Sequence, residues 1–255
     1  MSDRLPRLPS FYRLVAHDRI DSTSEEAKRL AASGAVEGTL VWAREQTAGR
    51  GRRGRVWSSP PGNLYVSLVL RPACAPGAAA QLGFAAAVGL GAALESLLPA
   101  GAGMLQFKWP NDLLVERRKI AGILLDASTG ADGRLDWLIL GIGVNIESFP
   151  DQTSYGATSL RDVGAGAVTV EQVLEVLGVH LLRTLDQWRR EGFAPIRRQW
   201  LSHALGLGER IDVRLEQDTL SGRFVELSDS GALTLELPQG ERRIIAAGDV
   251  FYPAL

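Results

Sequence analysis

Cysteine is nearly absent: Cys74 stands alone in a chain of 255 residues. No intrachain disulfide can form, and such usage fits a reducing compartment. Histidine is scarce too. His17, His180 and His203 are scattered and suggest neither a zinc site nor a catalytic triad. The Gly-x4-Gly-Lys-Ser/Thr pattern of a P-loop does not occur. Excess charge is missing as well. A net charge of −1 gives no global case for a nucleic-acid binder or a membrane-surface protein.

Long apolar runs are also lacking. The segment Cys74–Leu98 comes closest to a membrane span, but it is mostly alanine, broken by glycines and Glu95. The first fifteen residues carry Arg4, Arg7 and Arg13 with Pro6 and Pro9, so no signal peptide is visible. The expectation is a soluble cytoplasmic protein. The rarest cation is lysine: among 28 basic residues only Lys28, Lys108 and Lys119 are lysines. With arginine the default cation, a lysine is an informative choice, and Lys108 and Lys119 fall close together.

What is present reads as α+β. Ser22–Ser33 predicts a helix, with Ser22 and Thr23 able to cap it and Glu25 and Glu26 at the capping-box offset. Asp18, Asp21, Glu25 and Glu26 read as helix-start acids rather than a catalytic pair. Thr39–Gln46 and Asn63–Arg71 predict strands, and Thr47–Gly62 a loop. Gly77–Leu98 predicts a well-covered helix. Leu105–Lys108, Asp112–Glu116, Lys119–Ser128 and Leu135–Ile146 predict strands, with a tight turn at Asp132-Gly133 between the last two. Val170–Trp188 and Phe193–His203 predict helices.

From Gly208 the texture changes to short alternating strands: Arg210–Leu215, Thr219–Leu227, Ala232–Glu236 and Arg242–Ala246. This predicts a body over 1–207 and a small SH3-like barrel over 208–255. Strands outnumber helices in the middle, against a regular βαβ winding.

Three segments carry chemistry. From Arg44 to Trp57 there are five arginines and one acid, a local +4, so the rest of the chain carries −5. Glycines within it let backbone N–H groups approach an oxyanion, and arginine forks bind phosphate or carboxylate bidentately. Gly49-x-Gly51-x-x-Gly54 also matches a dinucleotide fingerprint. That motif needs a helix straight after the turn, and Pro60 and Pro61 follow instead. The second segment is Lys108-Trp109-Pro110-Asn111-Asp112, followed by Lys119 at the mouth of an apolar strand containing Gly122. The third is Leu138–Ile146, where Gly141 and Gly143 leave one strand face bare, as if a flat group packs there, and Asn145 ends it. A bend or bulge is the simpler reading of those glycines.

Taken in order, Asp21-Ser22-Thr23, the Gln46 to Arg55 run, Trp57, Lys-Trp-Pro-Asn-Asp, Lys119-x-x-Gly-Ile-Leu and Gly-x-Gly-x-Asn resemble the biotin protein ligases. The resemblance runs from about His17 to the C-terminus. It implies the catalytic core shared with lipoate ligases and related to class II aminoacyl-tRNA synthetases, a mixed sheet with flanking helices. It implies that ATP activates biotin as biotinyl-5'-AMP, which then acylates a lysine of the carboxyl carrier domain of acetyl-CoA carboxylase. Ser22, Thr23, Ser24, Gln46 and Gly122 would line the biotin site. Arg50, Gly51, Arg52, Arg53 and Arg55 would close over the carboxylate and phosphates. Trp57 would stabilise the closed loop or stack near the adenylate. Lys119 would neutralise biotin's carboxylate and the α-phosphate, in both the biotin and the adenylate site, and Lys108 would meet the nucleotide. Asn111 and Asp112 would position ATP, Mg²⁺ or the incoming lysine. Gly141, Gly143 and Asn145 would form part of the nucleotide site.

Catalysis would rest on Lys119, Arg52, Asp112 and Asn111 through positioning and charge neutralisation, without an enzyme nucleophile. Ser24 departs from the asparagine usual in the family. Only about twenty residues precede Ser22, too few for the helix-turn-helix domain of some members, so no DNA binding is expected. A monomer or weak homodimer, soluble and off the membrane, completes the expectation. A lipoate or octanoate ligase is the rival. Its linear substrate needs an apolar slot, whereas a ureido ring needs polar partners.

Overall fold

The computed structural model describes residues 5–150 and 156–252. Seven strands form one mixed sheet: β1 (Arg13–Ile20), β2 (Thr39–Gln46), β3 (Leu64–Leu70), β4 (Leu105–Lys108), β5 (Asp112–Val115), β6 (Arg118–Thr129) and β7 (Leu135–Val144). Their order is β1-β2-β3-β7-β6-β5-β4. Among the described residues, β1 and β2 run parallel and every other neighbouring pair of this sheet is antiparallel.

Strand β1 is not foretold by the sequence. Its polar residues are interleaved without a clean period, because it is an edge strand with exposed or half-buried positions. The antiparallel strands further in read more clearly where both faces are buried, as β3 is along its whole length.

Alternation divides the main sheet into two faces. Val66, Leu68, Leu140 and Ile142 point into the large core beneath α2 (Ala79–Leu97), α3 (Val170–Glu191) and α4 (Phe193–Ser202). By length and hydropathy the 76–97 segment would suffice to cross a membrane. Its Leu82, Phe84, Leu90 and Leu94 are instead buried in this core. The opposite face carries Val41, Val69 and Ile139, which pack on Ala27 and Ala31 of α1 (Thr23–Ala32). That short helix covers only part of its face.

The start of α1 differs from expectation. Ser22 occupies the N-cap in extended geometry, yet its side chain makes no capping hydrogen bond. The Thr23 hydroxyl donates elsewhere, to Gln46. A capping box does occur, at Thr169 and Gln172 of α3.

A five-stranded antiparallel sheet follows, in the order β11-β10-β9-β8-β12, from β8 (Arg210–Arg214), β9 (Thr219–Leu227), β10 (Leu233–Glu236), β11 (Arg242–Ile245) and β12 (Asp249–Phe251). The three-residue β12 eludes sequence reading, being too short to show a period. The two sheets are tied together. Buried Trp109, after which the peptide to Pro110 is cis, donates its indole N–H to the Gly231 carbonyl at 3.1 Å. The Arg197 guanidinium reaches the Leu227 carbonyl at 3.1 Å.

Candidate active site

The part of the sheet face that α1 leaves uncovered is the floor of a cavity of about 700 Å³. The arginine loop closes one side and β12 reaches in from the second sheet. Every site residue expected from the sequence lines this cavity except Arg53. Arg53 sits at the loop's tip with φ 54° and turns to Asp249 at 3.5 Å.

The floor follows from strand alternation. On β7, Ile139, Gly141 and Gly143 share a face. Gly141 pairs with Ser67 and Leu124, and Gly143 pairs with Tyr65 and Gly122. A Cβ on Gly143 would lie 2.6 Å from the Trp57 indole, and one on Gly122 would lie 3.1 Å from it. The flat group implied by the glycines is therefore Trp57 itself, and no bulge interrupts β7 at these positions. A Cβ on Gly141 would come within 2.8 Å of Ser24 Oγ. The Trp57 indole nitrogen is buried without a hydrogen-bond partner among the described residues.

Above Gly141 lies a polar cluster. The Thr23 N–H and hydroxyl both donate to Gln46 Oε1, at 2.8 and 3.0 Å. Gln46 Nε2 donates to Ser59 Oγ at 2.9 Å, and Ser59 donates to the Trp57 carbonyl at 2.8 Å. Ser67 donates to Thr23 at 2.9 Å and lies 3.0 Å from Ser24 Oγ. Ser22, Thr23, Ser24 and Ser67 are all buried. Sequence reasoning misses Ser59 and Ser67. The one available signal is a serine inside the otherwise apolar run Leu64–Leu70.

The loop is a closed, hydrogen-bonded turn. Gly51 N–H donates to the Arg55 carbonyl at 2.7 Å, and Trp57 N–H to the Gly49 carbonyl at 2.9 Å. The Gly51 amide thus points into the loop, whereas the glycine pattern alone suggests amides facing an anion. Arg50 pairs with Glu25 at 3.0 Å, and Glu25 also holds Lys28 at 3.0 Å. Asp21 and Glu26 hold Arg29, at 3.0 and 2.7 Å, so these acids serve α1 as expected. Arg55 and Arg53 both meet Asp249 of β12, a residue no local pattern marks.

The charged end gathers Arg52, Lys108, Lys119 and Asp112. Arg52 donates to Asn111 Oδ1 at 3.3 Å, and Asn111 Nδ2 clamps the Ile123 carbonyl of β6 at 2.7 Å. Burial lowers the affinity of Arg52 for its proton. Lys119 pairs with Asp112 at 2.6 Å and lies over the Trp57 ring at 5.2 Å. Burial pushes the Lys108 ammonium down to about 8, and it rests over the Phe251 ring at 5.9 Å. The Arg214 guanidinium lies over the same ring, at 4.5 Å. Asn145 donates to the Thr158 carbonyl at 3.0 Å and to that of Lys119 at 3.4 Å, anchoring the backbone that presents Lys119.

From Gly141 to Asn145 the floor extends about 13 Å along the strand direction. A polar cluster lies at one end and cations at the other. Among the described residues no His or Cys lines it, and no three carboxylate, His or Cys side chains form a metal-holding group.

Residues 16–145 match the biotin/lipoate A/B protein ligase family, and residues 206–252 match the biotin protein ligase C-terminal domain. A biotin–[acetyl-CoA-carboxylase] ligase of Paracoccus denitrificans is 44% identical over 92% of this chain and 98% of its own length. The bifunctional ligase/repressor BirA of Bacillus subtilis is 36% identical over 92% of this chain and 72% of its own length. The structure of the Aquifex aeolicus biotin protein ligase with biotin and ATP superposes with a TM-score of 0.80 at 29% identity, covering 94% of this chain and 97% of that one. The chain belongs to the biotin protein ligases, within the biotin/lipoate A/B protein ligase family.

Proposed function

We propose that this chain forms biotinyl-5'-AMP from biotin and ATP and transfers the biotinyl group to a lysine of a biotin carboxyl carrier domain, that of acetyl-CoA carboxylase in the first place. The observation that carries this reading is the polarity of one cavity: a hydroxyl–amide cluster at one end and Arg52, Lys108 and Lys119 at the other. Biotin has the matching form, a ureido ring at one end and a carboxylate at the other.

In the first step a carboxylate oxygen attacks the α-phosphorus of ATP and pyrophosphate leaves. In the second the carrier amine attacks the acyl carbon, loses a proton, and AMP leaves. Neither step needs an enzyme nucleophile. Lys119, on its strand mouth, neutralises charge at the reacting centre, exchanging Asp112 for substrate oxygens. Arg52, held by Asn111, gathers the anionic groups while the loop and Trp57 exclude water from the anhydride. Gly143 and Asn145 floor the side where the nucleotide would lie, whereas Gly141, expected there too, lies beneath the hydroxyl cluster at the ureido end. Mg²⁺ travels with ATP phosphates and typically needs only one or two protein carboxylates. Asp112 is the carboxylate that fits, and the ion would add phosphate charge neutralisation. The enzyme acts in the cytoplasm as a monomer or weak homodimer.

Lipoate and octanoate suit the cavity less well. A linear acyl chain offers no donor to the Ser24 oxygen that lines the cavity, at about 1–3 kcal/mol for a buried acceptor left without a partner. Pyrophosphate release from ATP, with biotin, lipoate or octanoate and no carrier, decides between them. Release with biotin alone is expected. Release only with a linear acid would transfer the assignment to the rival.

A further inference from the structure

The hydrogen-bond directions in the polar cluster can be derived from one atom. The backbone N–H of Thr23 can only donate, and it meets Gln46 at 2.8 Å. The Gln46 atom there is therefore its oxygen, Oε1. The Thr23 hydroxyl also faces that oxygen, at 3.0 Å, so its single proton is committed to Gln46. Ser67 Oγ, 2.9 Å from Thr23 Oγ1, must then be the donor of that pair. With the Ser67 proton spent, the 3.0 Å contact between Ser24 and Ser67 has only one consistent direction: Ser24 donates. The sequence of protons is Ser24 to Ser67 to Thr23 to Gln46.

The consequence falls on Ser24. Its proton is turned away from the cavity toward β3, and it lines the cavity as an oxygen with lone pairs only. Ser67 is fully buried in β3 and sits directly across from Gly141, whose missing side chain makes room for Ser24 Oγ. An alanine at 67 would leave Ser24 free to rotate its proton into the cavity.

We infer that Ser67 is a positioning residue for ligand specificity: it forces Ser24 to act as a hydrogen-bond acceptor, so the site requires a ring N–H donor. This rests on the assignment of biotin to the cavity. A urea ring supplies such donors. A cyclic carbamate, in which a ring N–H is replaced by oxygen, sets two acceptors against each other. Sites built around a hydrogen bond reject analogues that lack the partner strongly, up to about 10⁴-fold, because the buried group is left unpaired.

The test compares kcat/KM for pyrophosphate release with biotin and with the two carbamate analogues, each replacing one ring N–H by oxygen. The unaltered enzyme should reject one of the two by at least about 100-fold. In Ser67→Ala the freed Ser24 proton can donate to the ring oxygen. Biotin should then lose about tenfold while that carbamate does not, so the ratio falls by about tenfold or more. A merely structural loss would weaken both ligands alike, and equal weakening in folded Ser67→Ala would overturn the role of Ser67. Should Ser67→Ala fail to fold, the unaltered enzyme still decides: equal use of biotin and both carbamates would overturn the inference. Absence of any biotin-dependent release from the unaltered enzyme would instead overturn the biotin assignment itself.

Discussion

Gly143→Ala adds one methyl group and tests how closely the indole must sit on the floor. The new Cβ would lie 2.6–2.8 Å from three atoms of the Trp57 ring. Carbon atoms settle at about 3.5–4.0 Å, so the indole must withdraw by roughly 1 Å. The backbone at 143 poses no obstacle, since it lies in a regular ladder and outside the positive-φ region. A displaced Trp57 shifts the strand-like closure of the loop at Gly49 and its contact with Lys119. A misplacement of about 1 Å at a reacting centre can cost about 100-fold in rate, or about 2.7 kcal/mol. Stability should change far less, by about 1 kcal/mol, because Trp57 lies outside the main core. The assay is the rate of biotin-dependent pyrophosphate release, with Tm as the control. In a Trp57→Leu background the shorter side chain leaves room for the methyl, so Gly143→Ala should add little further loss. An equal loss in both backgrounds would refute the steric argument.

Three further outcomes are expected. Lys119→Ala should slow adenylate formation by about 10²–10³-fold, by analogy with loss of an oxyanion donor, and unchanged pyrophosphate release would remove Lys119 from the reacting centre. Arg52→Gly, which deletes the contact to Asn111, should weaken retention of the anhydride and label lysines of unrelated proteins. Full carrier selectivity, scored by biotin blotting of a protein mixture, would show that Arg52 has another role. Lys108 titrates at about 8 because burial disfavours its charge. Its cation is present below that pH and lost above it, so KM for ATP should rise as pH climbs through about 8, and Lys108→Arg should flatten the profile. The same shift has a stability consequence of opposite sense. The unfolded chain binds the proton more tightly, so the buried cation destabilises the fold below about 8, and that cost is relieved as pH rises from there toward the ordinary lysine value.

What the sequence determined on its own was whatever depends on local covalent geometry. Strand alternation sets Gly141 and Gly143 on one bare face with Asn145 at the strand's end, and the order of the motifs carries the family resemblance. Periodicity located α2, α3 and most strands within a few residues. It missed β1, an exposed edge, and β12, which is three residues long. Tertiary packing decided what occupies the bare row. Trp57, not a ligand alone, fills the gap over Gly143 and Gly122. The Ser22 and Thr23 side chains, which read as helix caps, are turned to the cavity instead. Arg53 turned away to Asp249, 196 residues distant in sequence, and Arg55 meets the same carboxylate across 194 residues. Residue type and spacing cannot report such pairings, since they arise only when the second sheet docks against the first. The direction of the Ser24–Ser67–Thr23–Gln46 protons is of the same kind. It follows from one backbone N–H that folding brought to a glutamine 23 residues away.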